Sequence, residues 1–162
     1  MSIIEENIHH IFRFASNVAL PGWILLAVAP KWKYTKLFVK GSVIVNCSIY
    51  GILIVKAIDS KGMPDFSSWS GVLNLFRNGA EPGLLAAWVH YLAFDLLTGL
   101  LISNDAADNQ ISRVYTAPFL FSTLMFGPVG FGSYILLRPF LGATTPFKSF
   151  NYLSTDKSTK LY

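Results

Sequence analysis

Four long apolar segments, separated by short polar stretches, dominate the hydropathy pattern of this 162-residue chain. They cover residues 8–29, 37–58, 82–103 and 114–141. Each is about 20 residues or longer, which is the length that a helix needs to cross a hydrocarbon core of about 30 Å. A soluble all-α domain rarely contains four such segments in succession. The pattern therefore predicts an all-α integral membrane protein, a bundle of four transmembrane helices.

The connection between the second and third segments, residues 59–81, has a helical pattern of its own. Trp69, Val72, Leu73 and Phe76 recur at helical spacing, so this stretch predicts a short amphipathic helix at the membrane interface. A polar loop over residues 104–113 joins the third and fourth segments. We expect one four-helix transmembrane domain over residues 1–150, followed by a polar tail over residues 151–162.

Composition supports the membrane assignment and narrows the partners. Hydrophobic residues make up 52% of the chain and charged residues 14%, whereas a soluble domain carries about 25% charged residues. The net charge is +4, but lysines and arginines sit beside apolar segments, as at Lys31, Lys33, Lys36 and Lys40. That placement favours anionic lipid head groups over nucleic acid. With Cys47 as its single cysteine, the chain has no intrachain disulfide.

The sequence gives weaker signals for targeting and for membrane orientation than for the spans themselves. Residues 1–13 contain Glu5 and Glu6 and resemble neither a cleavable signal peptide nor an Arg- and Ser-rich transit leader. We therefore expect a multi-pass protein whose first span directs its own insertion. Four spans would place both termini on one side, and the positive-inside rule does not choose that side.

Polar side chains at membrane depth are costly and are functional candidates by default. Asn17, Asn46, His90 and Asp95 lie inside the apolar segments. Counted from the lysine-rich loop, Asn46 and Asp95 are about 12 Å deep, and Asn17 and His90 about 18–20 Å deep. These depths predict two polar layers that face a shared interior and contribute to a ligand site.

His90 and Asp95 are the strongest candidates for acid–base chemistry. They are five residues apart, or about 140° around a helix, so they cannot form an ordinary intrahelical pair. Either both border one wide pocket, or one is functional and the other structural. Asp95 could supply a proton, and His90 could act as a base near neutral pH. In the alternative interpretation both residues form interhelical hydrogen bonds.

The loop after the third segment carries Asn104, Asp105, Asp108 and Asn109. These side chains could bind a cation, although Asn and Asp also cap and stabilise ordinary turns. Two carboxylates do not make a full ligand set, so we predict neither a metal nor a cofactor.

A longer motif in the third segment resembles a known family. The stretch AWVHYLAFDLLTGLLISNDAADNQI (87–111), followed by FGPVGF (126–131), is similar to the abscisic-acid-deficient-four-like family. This is the neoxanthin-synthase type of small four-span membrane protein. The matching positions are Ala87, Trp88, His90, Asp95, Leu96, Asn104, Asp105, 109–111, Phe126 and 128–130, with a weaker match in LPGW and VAP within residues 20–30.

The resemblance implies an isomerase-type enzyme that acts on a carotenoid or related polyene. The family reaction opens an epoxide and removes a proton from a neighbouring carbon, which needs an acid and a base in a dry apolar cavity. The implied catalytic residues are His90, Asp95 and Asp105. The implied substrate-binding residues are Trp88, Tyr91, Asn104, Asn109 and Phe126, together with Asn17 and Asn46 from the depth argument.

Two other functional classes remain open. A non-catalytic binder of a carotenoid, a retinoid or a lipid would use the same apolar walls without changing its ligand. A transporter or assembly subunit is disfavoured because the sequence lacks inverted repeats. The expected partners are an apolar small molecule and membrane lipids, without nucleic acid, and a homo-oligomer is compatible with the pattern.

Overall fold

The computed structural model describes residues 6–145 and 147, and every regular element in that part of the chain is helical. The prediction of an all-α protein is therefore confirmed. The polar tail predicted for residues 151–162 lies outside the described residues. The helices are α1 (Ile8–Val28), α2 (Thr35–Lys61), α3 (Trp69–Asn78), α4 (Glu81–Asp108), α5 (Arg113–Phe126), α6 (Pro128–Leu137) and a final 3-10 turn (Arg138–Leu141).

Three helices have the length and composition needed to cross a membrane. These are α1, α2 and α4, with 21, 27 and 28 residues, and they correspond to the first three predicted spans. The helix predicted between the second and third spans is present as α3. None of its residues is fully buried, but Val72 and Leu75 are partly covered whereas Ser70 and Asn74 are exposed, which distinguishes an apolar from a polar face.

Helix α4 lies at the centre of the fold and packs against α1, α2 and α5. Glycines allow its closest contact with α1. A Cβ built at Gly99 would lie 2.6 Å from the Trp23 ring, and one at Gly22 would lie 3.1 Å from Leu96. Ser16 in the first half of α1 contacts Trp88 in the first half of α4, and Trp23 in the second half of α1 contacts Gly99 in the second half of α4. The two helices therefore run in the same direction, and α2, which follows α1 in the chain, runs in the opposite direction.

The two ends of the bundle are therefore distinct. We call one the lysine side; it carries the α1–α2 loop (29–34) and the α4–α5 turn (109–112). Here Arg113 donates to the Val28 carbonyl at 2.9 Å, and Thr35 donates to the Ala29 carbonyl at 2.7 Å. We call the other the α3 side; it carries the start of α1, the 62–80 connection and the start of α4.

A compact turn fixes the start of α3. The Asp65 carboxylate accepts hydrogen bonds from the backbone N–H and hydroxyl of Ser67 and from the Ser68 hydroxyl. These bonds, led by the Ser67 hydroxyl, stabilise the charged form and lower the pKa of Asp65 to about 2. The Ser68 hydroxyl in turn accepts the Gly71 N–H at 3.0 Å, which caps the helix.

The fourth predicted span folds differently from the expectation of one crossing helix. It forms two shorter helices, α5 with 14 residues and α6 with 10, separated by Gly127 at φ 36° and ψ −93°. Proline at position 128 lacks an N–H and cannot continue the helix of α5, and glycine tolerates the positive φ. This Gly-Pro pair lies inside the fourth apolar segment of the sequence.

Helices α5 and α6 lie antiparallel as a hairpin. The rings of Phe119 and Tyr134 are 5.5 Å apart, in an edge-to-face arrangement. Closer to the turn, Gly130 packs directly on the Thr123 backbone, leaving no room for a Cβ. From the first pair to the second, the position on α5 advances by four residues while the position on α6 goes back by four, as two antiparallel helices require.

This packing predicts opposite effects for two neighbouring glycines of α6. Gly130→Ala should reduce the free energy of unfolding by about 1–3 kcal/mol because the new methyl group overpacks the hairpin. Gly132→Ala is the matched control, since a Cβ there meets nothing within 4 Å and alanine favours a helix. Denaturant titration of each variant in mixed micelles measures the difference, and equal effects at both positions would contradict the hairpin packing.

Candidate functional site

Two adjoining grooves open on the α3 side of the bundle. One has a volume of about 510 Å³ and lies between α1, α3 and α4. The other has a volume of about 360 Å³ and lies between α2, α3 and α4. Phe76, Ala87 and Tyr91 line both grooves, so we treat them as the first and second lobes of one cavity, the α3 crevice.

The walls of the α3 crevice are mostly apolar, with few groups that can ionise. The first lobe contains His9 and Glu81, and the second contains Lys61 and His90. Each lobe falls within the range of about 300–1,000 Å³ that is typical of small-molecule sites, and few polar groups among apolar walls is their usual composition. The crevice is therefore suited to a mainly apolar ligand that carries few polar groups.

His90 projects from α4 into the second lobe, surrounded by aromatic rings. Its imidazole stacks on Phe94 with ring centroids 4.5 Å apart. Tyr50 and Tyr91 follow at 5.6 and 6.2 Å. Imidazole is the side chain most often used for general acid–base catalysis, so His90 is the chemical candidate in the wall of the second lobe.

Trp88 and Tyr91 line the first lobe of the crevice, on the α4 turns that flank His90. The Trp88 indole donates to the Ser16 hydroxyl at 3.4 Å and lies 5.7 Å from the Phe12 ring. Both aromatic side chains remain about half exposed, at 45% and 56%. Three of the sequence-predicted site residues, Trp88, His90 and Tyr91, are thus brought together, although their roles stay predictions.

Asp95 lies elsewhere, beside the turn of the α5–α6 hairpin. A Cβ built at Gly127 would lie 2.5 Å from one of its carboxylate oxygens. Asp95 is half-buried and lines neither lobe of the crevice, so His90 and Asp95 do not share this cavity. Phe126 is next to the same turn and is exposed.

The expectation of two polar layers facing one interior does not match the structure. Asn17 is exposed on the outer face of α1, and His90 is also exposed, whereas Asn46 is completely buried. Asn46 donates to the Ser42 carbonyl at 3.0 Å. Within the described residues, its side-chain oxygen has no hydrogen-bond partner. Position along a helix does not tell which face of the helix is covered by its neighbours.

A second group of polar residues surrounds Asp105 on the lysine side. The Arg138 guanidinium donates to both carboxylate oxygens of Asp105, at 2.7 and 2.9 Å, and the Tyr134 hydroxyl donates at 2.6 Å. Asp105 is fully buried and Arg138 is 8% exposed. Two-point pairing of this kind is the strongest arrangement available to arginine and a carboxylate. We call Asp105, Asn109, Tyr134, Arg138 and Thr145 the Asp105 network.

Asn109 extends the Asp105 network to the last described residues. Its amide nitrogen donates to the Asp105 carbonyl at 2.9 Å. Its oxygen accepts from the N–H groups of Thr144 and Thr145, at 3.0 and 3.1 Å, and from the Thr145 hydroxyl at 3.0 Å. Arg138 also donates to the Thr145 carbonyl at 2.9 Å. The segment after the 3-10 turn is consequently tied to the end of α4.

The loop predicted over residues 104–113 begins later than expected. Helix α4 continues to Asp108, so Asn104 and Asp105 are buried helical residues rather than loop ligands. A buried carboxylate is tolerated here because Arg138 supplies the countercharge. The Asn104 side-chain nitrogen is also buried, with no hydrogen-bond partner in the described part of the chain.

Sequence reasoning did not identify Tyr134 and Arg138. A signal was present, since Arg138 is the only charged residue between positions 114 and 147. It also lies four residues after Tyr134, so both side chains share one helix face. A buried carboxylate such as Asp105 can pair with an arginine in this position. Among the described residues, no three His, Cys, Asp or Glu side chains are grouped to hold a metal ion.

Comparison with known proteins gives a consistent result. A family model described as ABA DEFICIENT 4-like matches residues 10–134. The chain is 30% identical over 139 residues to Protein ABA DEFICIENT 4, chloroplastic, of Arabidopsis thaliana. That alignment covers 79% of this chain and 60% of the plant protein, so the chain spans somewhat under two thirds of its relative. No solved structure matches significantly.

The geometry of the Asp105 network predicts a large effect on stability. Arg138→Met leaves the buried Asp105 carboxylate without its countercharge, which should reduce the free energy of unfolding by about 3–5 kcal/mol. Asp105→Asn should be similarly costly, and the double variant should lose less than the sum of the two. Denaturant titration in mixed micelles measures each value.

The matched control for this prediction is Arg77→Met on α3, where the arginine is exposed. A change within about 0.5 kcal/mol is expected there. If Arg138→Met were as mild as Arg77→Met, the Asp105 network would not support the fold as described.

Proposed function

Because this chain belongs to the ABA DEFICIENT 4-like family, we propose that it is a membrane-embedded isomerase acting on a carotenoid or a related isoprenoid polyene. The ligand occupies the α3 crevice. The observation that supports this most is a two-lobed apolar cavity with His90 among aromatic rings in its wall. The family resemblance implies the polyene, and the shape and lining of the crevice are compatible with it.

His90 can serve both proton transfers of an epoxide-opening isomerisation. Its protonated ring gives a proton to the epoxide oxygen as the carbon–oxygen bond breaks. The neutral imidazole then accepts a proton from the neighbouring carbon, and the electrons of that C–H bond form the new double bond. The histidine ends in its starting state and no oxidant is consumed. Apolar walls that exclude water protect the cationic intermediate from hydrolysis.

In this proposal Trp88 and Tyr91 form walls against which a conjugated chain packs. Both present exposed ring surface to the first lobe, and flat aromatic faces suit a flat polyene. Asp95 does not border the crevice and has no step in this mechanism. Asp105 is engaged by Arg138 and Tyr134, so we assign it a structural role instead of the catalytic role implied by the resemblance.

The second candidate function is a binder that leaves its ligand unchanged. One observation favours it. Among the described residues that line the second lobe, the ionisable side chains are Lys61 at its edge, His90, and the two tyrosines next to His90, Tyr50 and Tyr91. No carboxylate is among these lining residues to act together with His90. The two candidates share the α3 crevice and differ only in whether the pigment is altered.

Expression in a carotenoid-producing host separates these functions. We expect the native chain to change the pigment profile, and His90→Ala to reduce product formation by about 10²–10⁴-fold, the usual contribution of a general acid–base. Pigments are quantified by chromatography of extracts and of the purified protein. His10→Ala is the matched control, because His10 lies outside the crevice lining at the start of α1.

The outcomes divide clearly. Purified native protein and His90→Ala that carry the same unaltered pigment would replace the isomerase by the binder. Protein without pigment, in cells whose pigment profile is unchanged, would exclude both candidates.

A further inference from the structure

We infer that α5 and α6 form a re-entrant hairpin that enters the membrane from the lysine side and returns to it. Only α1, α2 and α4 then cross the membrane. The start of α1 and the α3 crevice lie on one side, and the chain at Phe147 lies on the other. This differs from the four crossings that the hydropathy pattern and the family resemblance imply.

The direction of α6 follows from its contacts along α4. Gly127, at the start of α6, packs beside Asp95, whereas Arg138, just after its end, pairs with Asp105. Those two positions on α4 are ten residues apart, or about 15 Å at helical rise. Since Asp105 is nearer the lysine side, α6 runs back towards the side from which α5 came.

The length of the hairpin is too small for a crossing. Helix α5 has 14 residues and therefore spans about 21 Å, while a bilayer core is about 30 Å thick. Helix α6 has 10 residues and returns about 15 Å. The turn consequently lies near the middle of the membrane.

The turn is built so that its backbone can exist at that depth. Non-helical backbone is tolerated inside a membrane only where it is enclosed by protein and hydrogen-bonded. Gly127 is buried, its N–H donates to the Thr123 carbonyl at 2.8 Å, and its carbonyl accepts from Phe131 at 3.2 Å. Both backbone groups of Gly127 are therefore hydrogen-bonded within the protein.

The returning end is fastened on the lysine side. Arg138 is held by Asp105 at the end of α4, and Thr144 and Thr145 are held by Asn109 in the α4–α5 turn. Residues that follow α6 are therefore bonded to the very turn from which α5 begins. A crossing helix would instead have separated these residues by the thickness of the membrane.

The charge distribution is consistent with this topology. Among the described residues, and apart from the buried Asp105–Arg138 pair, the lysine side has five basic side chains and one acidic side chain, at positions 31, 33, 36, 40, 113 and 108. The described part of the α3 side has four basic and four acidic side chains, at positions 6, 13, 56, 59, 61, 65, 77 and 81. By the positive-inside rule the lysine side faces the compartment in which the protein is synthesised.

Cysteine labelling in sealed membrane vesicles tests the topology. Starting from a Cys47→Ala background, single cysteines are placed by Lys33→Cys on the lysine side, Met63→Cys on the α3 side and Phe140→Cys after α6. Phe140 is 86% exposed and Met63 77%, so neither change disturbs packing. A membrane-impermeant maleimide is applied before and after the vesicles are permeabilised.

We expect Phe140→Cys to be labelled from the same side as Lys33→Cys and from the side opposite to Met63→Cys. Labelling of Phe140→Cys together with Met63→Cys would overturn the hairpin and restore four crossings. A tag at the C-terminus, tested by protease protection in the native sequence, gives the same comparison without altering any described residue. The result is independent of any effect of His90→Ala on pigments.

Discussion

The ion pair of Asp105 and Arg138 is the interaction on which the rest of this fold depends. Removing two charges from water is expensive, and their attraction repays the cost only when the remaining hydrogen-bonding positions are also satisfied. Here Tyr134 and Asn109 donate further hydrogen bonds to the Asp105 carboxylate, and the Thr145 carbonyl accepts another from the Arg138 guanidinium. Because this geometry is specific, it sets the position of α6 along α4 and so determines the depth of the hairpin turn.

Close packing of small residues is the second requirement. Without a hydrophobic driving force between helices in lipid, association depends on backbones approaching closely. Gly22 and Gly99 allow it between α1 and α4, and Gly130 allows it between α6 and α5. The ion pair thus gives the hairpin its register, and the glycines give the helices their close contact.

The sequence predicted the long helices well because their signal is local. Hydropathy located α1, α2 and α4, and the spacing of Trp69 and Phe76 located α3. The hairpin could not be found in the same way, since one 28-residue apolar segment and two shorter antiparallel helices have the same composition. What distinguishes them is the pairing of Asp105 with a residue 33 positions away, and pattern analysis does not record such contacts.

The candidate site was predicted in part for a similar reason. Trp88, His90 and Tyr91 are close in sequence on one helix, so they lie near one another however the other helices pack. Asn17, Asn46 and Asp95 were assigned to a common interior by depth alone. In a membrane protein the outer surface is also apolar, so hydropathy cannot tell which side of a helix faces its neighbours. That information resides in the packing of α4 against α1 and α2.

A hairpin that reaches only to the level of Asp95 has a consequence for how a ligand reaches the protein. Beyond that depth, α5 and α6 do not cover the first half of α4, and Leu84, Trp88 and Tyr91 are left with exposed side chains. A molecule dissolved in the bilayer can meet this wall by lateral diffusion, without passing through water and without separating any helices. Occupancy would then follow the mole fraction of the ligand among the lipids, not its vanishingly small aqueous concentration.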